Sequence, residues 1–202
     1  MPEFVLFSHT ADAFVQLVRG IRDEQWNEPG LGEWDVRALV GHTSRALVTL
    51  LDYLALEEPK VVTIPNAERY YALATAEYGD PAGIVQRGVD AGASLGDDPV
   101  GTLRSLTEHA LESLAKQSED RIVAVRGGSI LLKEYLRTRL MELVVHSIDI
   151  ARATGQSVSF PLEAQRQTVL LAASIAAETG RGEELLLALT GRGTLSPGFS
   201  VV

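Results

Sequence analysis

Helical periodicity constrains this chain most: apolar residues recur at three- to four-residue spacing over most of its length and almost nowhere alternate. From Glu3 to Ile21, the positions Leu6, Phe7, Phe14, Leu17, Val18 and Ile21 share one side of a helix. A second helix is expected from Asp35, a good N-cap after Trp34, to about Glu57, ahead of Pro59. A third helical region begins after Asp80-Pro81, breaks at GDDP (96–99) and resumes to about Gln117. A fourth spans Ser129 to Thr154 and ends at Gly155, a residue suited to a left-handed C-cap. A fifth starts at Pro161 and ends before Gly180, and a short sixth covers Glu183 to Leu189. The β-like runs VVTI (61–64) and IVAV (122–125) are too short and isolated to build a sheet. The expectation is an all-α bundle over residues 1–155, with the boundary at GQSVSFP (155–161) and a helical extension, 156–202, packed on it. Glycines at 79, 83, 88, 92 and 96 fall within a helical region, where they permit close packing or bends.

A chain of 202 residues buries enough surface to fold without disulfides or a structural metal. Its 46% hydrophobic and 22% charged residues are those of an ordinary globular protein. A net charge of −9 argues against nucleic acid and against an anionic membrane surface as partners. The absence of cysteine excludes a disulfide scaffold, a thiolate nucleophile and a Cys-ligated metal, so any thiol chemistry must use an external thiol. The first residues, MPEFVLFSHTADAF, carry Glu3, His9 and Asp12 where a signal peptide needs a basic start and an apolar stretch. There is no apolar run of the roughly 18 residues a membrane span needs, and a cytoplasmic location is expected.

The histidines divide on the helical wheel. His9 sits with Asp12, Gln16 and Arg19, and His109 with Glu108, Glu112 and Ser113; both are expected at the surface. His42 falls in line with Ala38, Ala46 and Tyr53, beside the apolar arc of Leu39, Leu47 and Leu50, while Arg37, Gly41, Ser44, Arg45 and Asp52 form the solvent arc. Glu142 and His146, one turn apart, share a stripe with Tyr135, Thr138, Arg139 and Asp149. That stripe reads either as the solvent face of an amphipathic helix or as an inward carboxylate–imidazole pair able to hold a metal with His42 from across the bundle. The pattern alone leaves both readings open. An inward Glu142 without its cation would bear a desolvation cost, so its loss is expected to leave the apoprotein no less stable.

Three blocks carry a family resemblance. GEWDVRALVGHTSRAL resembles the W-(D/T)-x-R-(D/E)-(L/V)-x-x-H signature of the mycothiol-dependent maleylpyruvate isomerase and DinB-like metal-binding proteins. RLMELVVHSIDIARATG is similar to their E-x-x-x-H-x-x-D-x-A-x-A-x-G block, and LLLALTGRG (185–193) to an A-L-T-G-R element near the C-terminus of many relatives. The resemblance implies a DinB-like four-helix bundle with a short C-terminal helical extension and one divalent metal held by His42, Glu142 and His146, with Asp149 as an acceptor behind an imidazole. No catalytic residue beyond the metal set is implied. Zinc suits two imidazoles and a carboxylate, with nickel, manganese or iron as alternatives. The isomerases carry a larger C-terminal domain, whereas residues 156–202 follow the bundle here, so the expected reaction is kept broad. It is metal activation of a mycothiol-like thiol cosubstrate for transfer to, or isomerisation of, a small electrophile. The alternatives are a metal-binding protein without turnover and a zinc-water hydrolase. The expected partners are therefore small molecules, with a homodimer left open.

Overall fold

The computed structural model describes residues 2–77, 81–118 and 120–201; Gly79 and Asp80, singled out above, lie outside them. The chain runs α1 (Pro2–Arg19), β1 (Pro29–Leu31), β2 (Trp34–Asp35), α2 (Val36–Leu54), α3 (Ala67–Glu77), α4 (Pro81–Ser94) and α5 (Pro99–Leu114). It continues through β3 (Ile122–Val125), β4 (Gly128–Leu131), α6 (Leu132–Thr154), α7 (Leu162–Glu178) and α8 (Gly182–Leu189). Helices α1 and α2 each pack against both α5 and α6, so α1 lies diagonally from α2 and α5 from α6. This is a four-helix bundle of the DinB-like kind, and its centre is filled by Phe7, Phe14, Leu39, Leu47, Leu50, Leu103 and Leu143, all under 2% exposed. None of the described helices is long and apolar enough to cross a membrane.

The helix ends follow from local chemistry. The Asp35 carboxylate accepts from the Ala38 amide at 2.7 Å and opens α2. Asp98 accepts from Gly101 at 2.9 Å and opens α5, with Pro99 in the first turn. Gly155 closes α6 in the left-handed region, at φ 67°. At the end of α2, Arg121 donates to the Leu54 and Leu56 carbonyls at 2.8 and 3.2 Å, a cation placed where the helix dipole is negative.

The structure departs from the sequence reading at several places. The IVAV run is a real strand: β3 pairs antiparallel with β4, Val123 opposite Ile130. Because β4 takes up Ser129 to Leu131, α6 starts at Leu132 rather than at Ser129. VVTI forms no strand, yet the Thr63 and Ile64 amides donate to the Ser129 carbonyl at 3.0 and 2.9 Å. Helix α3 was not expected, because Ala67–Glu77 has few large apolar residues on one face. It is held by tertiary contacts, Tyr71 burying against Met141, Leu171 and Ile175, and the Ala67 amide donating to Glu134 at 3.1 Å. The β1–β2 pair is too short to carry a pattern, and it delivers Trp34 to the bundle.

Gly41 and Ser44, assigned to the solvent arc of α2, are buried, because α4 lies along that face. A Cβ on Gly41 would fall on the Gly92 backbone and 2.6 Å from the Ala91 carbonyl carbon, so glycines facing each other set the closeness of the two helices. Arg37 fastens the far end of α4 by donating to the Gly92 and Gly96 carbonyls at 3.4 and 3.2 Å. The extension covers the other side: α7 packs on α6, α3 and α1, with Ala164 joining Leu6, Leu140, Val144 and Phe160.

Candidate metal centre

Helix α2 supplies His42 and the neighbouring α6 supplies Glu142 and His146, which project together because they are one turn apart. Glu142 Oε2 lies 3.4 Å from His146 Nε2 and 3.9 Å from His42 Nε2. One donor atom from each of the three lies within 4.8 Å of the others. The side chains are 17–22% exposed, so the cluster is partly open to solvent.

Each member is held from behind. Tyr71 donates its hydroxyl to Glu142 Oε1 at 2.7 Å, which leaves Oε2 facing the two imidazoles. Asp149 Oδ2 lies 3.2 Å from His146 Nδ1, so that nitrogen carries a proton and Nε2 is the nitrogen turned to the cluster. The Trp34 ring lies over His42 at 4.3 Å between centroids, and its indole N–H donates to the Val85 carbonyl at 3.0 Å. Gly88 makes room for that indole, since a Cβ there would strike it. His42 Nδ1 is buried without a partner among the described residues.

The solvent-face reading of the α6 stripe does not survive. Tyr135 and Thr138 are fully buried, and Arg139 is 8% exposed, stacked over Tyr135 at 4.8 Å. Burial and the His146 charge push the His42 pKa down to about 4, so at neutral pH it is an uncharged donor. Burial would also lower His146, but the hydrogen bonds its ring donates to Asp149 and Glu142 more than offset it and raise the pKa to about 9. Burial alone would raise Glu142; His146, Arg139 and Tyr71 instead hold it well below the usual carboxylate range. Glu142 is thus no uncompensated charge in the apoprotein, and its loss is expected to cost stability rather than to be neutral.

The donor set fits a divalent cation. Donors about 2.1 Å from a tetrahedral ion stand roughly 3.4 Å apart, so His146 and Glu142 are already spaced for one and His42 needs only a small approach. Binding at pH 7 is expected to expel about one proton, from His146, since His42 is already neutral and Glu142 already ionised. Titration calorimetry in buffers of different ionisation enthalpy would read this number. Affinity should rise about tenfold per pH unit and level off above about 9; a flat profile from pH 7 to 9 would remove His146 from the set.

The structure brings His42, Glu142 and His146 together with Asp149 behind His146, and His9 and His109 are exposed as expected. The sequence reading assigned no part to Tyr71, which lies on the helix it did not find, nor to Arg139, which it grouped in the stripe without a role. A metal-binding type of helical bundle is what the fold and this cluster define together. The chain matches the mycothiol maleylpyruvate isomerase N-terminal domain family over residues 7–151 and belongs to that family. No curated protein and no solved structure matches it.

Proposed function

We propose that the protein is a divalent-metal-dependent enzyme that activates a low-molecular-weight thiol of the mycothiol type for transfer to, or isomerisation of, a small electrophile. His42 Nε2, Glu142 Oε2 and His146 Nε2 would hold the cation; zinc is the first choice for this set, and nickel, manganese or iron also suit it. The observation that carries the reading is that, among the described residues, three donors converge from two helices at a partly exposed point. Three protein donors leave a coordination position open, the pattern of catalytic rather than structural sites. When bound, the dication would supply Lewis acidity, lowering the pKa of a thiol or a water that reaches that position.

The chain's own residues prepare the site for such a ligand. Tyr71 restricts Glu142 to one outward oxygen, Asp149 fixes the His146 ring and tautomer, and Trp34 limits rotation of His42. With no cysteine in the chain, no internal thiol competes for the open position or is alkylated by the electrophile. The external thiol would lose its proton to solvent and its sulfur would add to the electrophile's conjugated C=C bond, whose π pair moves toward the carbonyl and is protonated from solvent. In isomerisation the carbon skeleton rotates, that proton is lost, the S–C bond breaks as C=C re-forms, and the thiolate leaves to be reprotonated.

Protein purified without chelators should carry about one divalent ion per chain and should consume electrophiles, such as an α,β-unsaturated carbonyl compound, only when thiol is added. Turnover without thiol would favour a zinc-water hydrolase, and metal without any turnover a binding protein. Chelation should leave helical circular dichroism intact, because the bundle core is complete without the ion. His9→Ala and His109→Ala should leave metal content unchanged. Asp149→Asn should weaken metal binding about 10–100-fold, the usual effect of losing the group behind a ligating imidazole; unchanged affinity would make Asp149 an ordinary surface carboxylate.

A further inference from the structure

A cavity of about 250 Å³ lies between α2, α4 and α5. Its walls carry two guanidinium groups, Arg45 from α2 and Arg87 from α4, over an apolar floor of Val48, Ala91, Leu95 and Leu106. Both arginines are half-buried, and among the described residues neither guanidinium makes a hydrogen bond or an ion pair, although the Arg45 charge is felt at His42. In a chain of net charge −9, two such groups left without an anion at one cavity are out of keeping with the surface around them. The acid on the rim, Asp90, already accepts from Gln86 at 2.8 Å through one oxygen and forms no ion pair with Arg87.

The remaining polar groups narrow the ligand. Ser44 donates to the Gly41 carbonyl at 2.7 Å, Ser94 to Asp90 at 2.8 Å and Thr102 to Leu95 at 3.0 Å. Their hydroxyl protons are spent on the backbone, so only the guanidiniums are left to donate. Arginine's planar fork matches a carboxylate in two parallel bonds. The floor asks for an apolar body behind it, and for scale an apolar cavity of about 150 Å³ accommodates benzene. We propose that this cavity is a binding site for a small organic carboxylate with an apolar body, held by Arg45 and Arg87 and separate from the His42–Glu142–His146 cluster.

Benzoate is the probe, with benzamide (the same ring without the charge) and inorganic phosphate (the charge without the ring) as comparisons. Ligand-observed NMR titrations of the full chain, metal-loaded and chelated, give the affinities. The expected result is saturable benzoate binding, at least tenfold tighter than either comparison and unchanged by chelation. Arg45→Met and Arg87→Met should each weaken it at least tenfold, with helical circular dichroism and Tm close to wild type. No binding at tens of millimolar, equal binding of benzamide or phosphate, or indifference to both substitutions would overturn the proposal. Loss of binding on chelation would also overturn it, by placing the anion at the metal cluster. The comparison of probes on the wild-type chain holds even if a variant fails to fold.

Discussion

Glu142→Gln is expected to weaken divalent-metal binding by well over the about 100-fold that marks groups behind the ligands, because it replaces an anionic oxygen beside a dication with a neutral amide. It is also expected to destabilise the metal-free protein. Arg139 is buried with aromatic rings and the Thr138 hydroxyl for company, and Glu142 is the carboxylate whose charge balances it. Removing one partner of a directly bonded buried pair costs about 3–5 kcal/mol; here the two are not in contact and Glu142 is 22% exposed, so a loss of about 1–3 kcal/mol is expected. A metal titration and a chelated denaturation curve on the same variant separate the two effects. Wild-type affinity in the variant would return Glu142 to a purely structural role, and unchanged apo stability would show that Arg139 does not depend on it. The carboxylate's contribution in the apoprotein is full above its ordinary pKa and is lost as the pH falls below it, since its folded-state pKa is depressed.

Gly41→Ala should destabilise the protein although alanine is the better helix former. At an exposed helix position the exchange would add about 1 kcal/mol. In α2 the new methyl group would meet backbone atoms of Gly92 and Ala91, which cannot swing aside as a flexible side chain can. Overpacking of this kind costs about 1–3 kcal/mol, and separating two helices whose contact is backbone to backbone belongs at the upper end, for a net loss of about 2 kcal/mol. Because α4 also receives the Trp34 indole through the Val85 carbonyl, the displaced helix should loosen the ring that lies over His42. Denaturant unfolding measures the first effect, and Trp34 fluorescence reports the second. A variant more stable than wild type would show that the interhelix contact is slack.

What the sequence made legible was whatever depends on neighbours along the chain. The cap Asp35, the break at GDDP (96–99), the stop at Gly155 and the one-turn spacing of Glu142 and His146 are local, and the structure has each of them where the pattern put it. Placing His42 opposite that pair needed the bundle, and there the family resemblance chose between readings that the wheel left even. The failures have the opposite character. Helix α3 has little apolar face of its own and exists because Tyr71 finds Met141, Leu171 and Ile175. The solvent arc of α2 was misjudged because Gly41 and Ser44 look exposed until α4, a separate element, is laid over them. IVAV lacked a visible partner, since β4 reads as the start of a helix.

Tyr71 has an importance that its place in a small apolar cluster does not suggest. Its ring is wedged among side chains of α6 and α7, while its hydroxyl grips the carboxylate at the metal cluster. A residue of α3 therefore links the seating of α7, a helix that begins 85 positions after α3 ends, to the aim of a single oxygen atom. Anything that lifts α7, whether truncation, a bulky side chain at Ala172 or a molecule wedged under Leu171, would turn that oxygen before it unfolded the bundle. The C-terminal segment thus acts as a tensioner on a site to which it contributes none of the three donors.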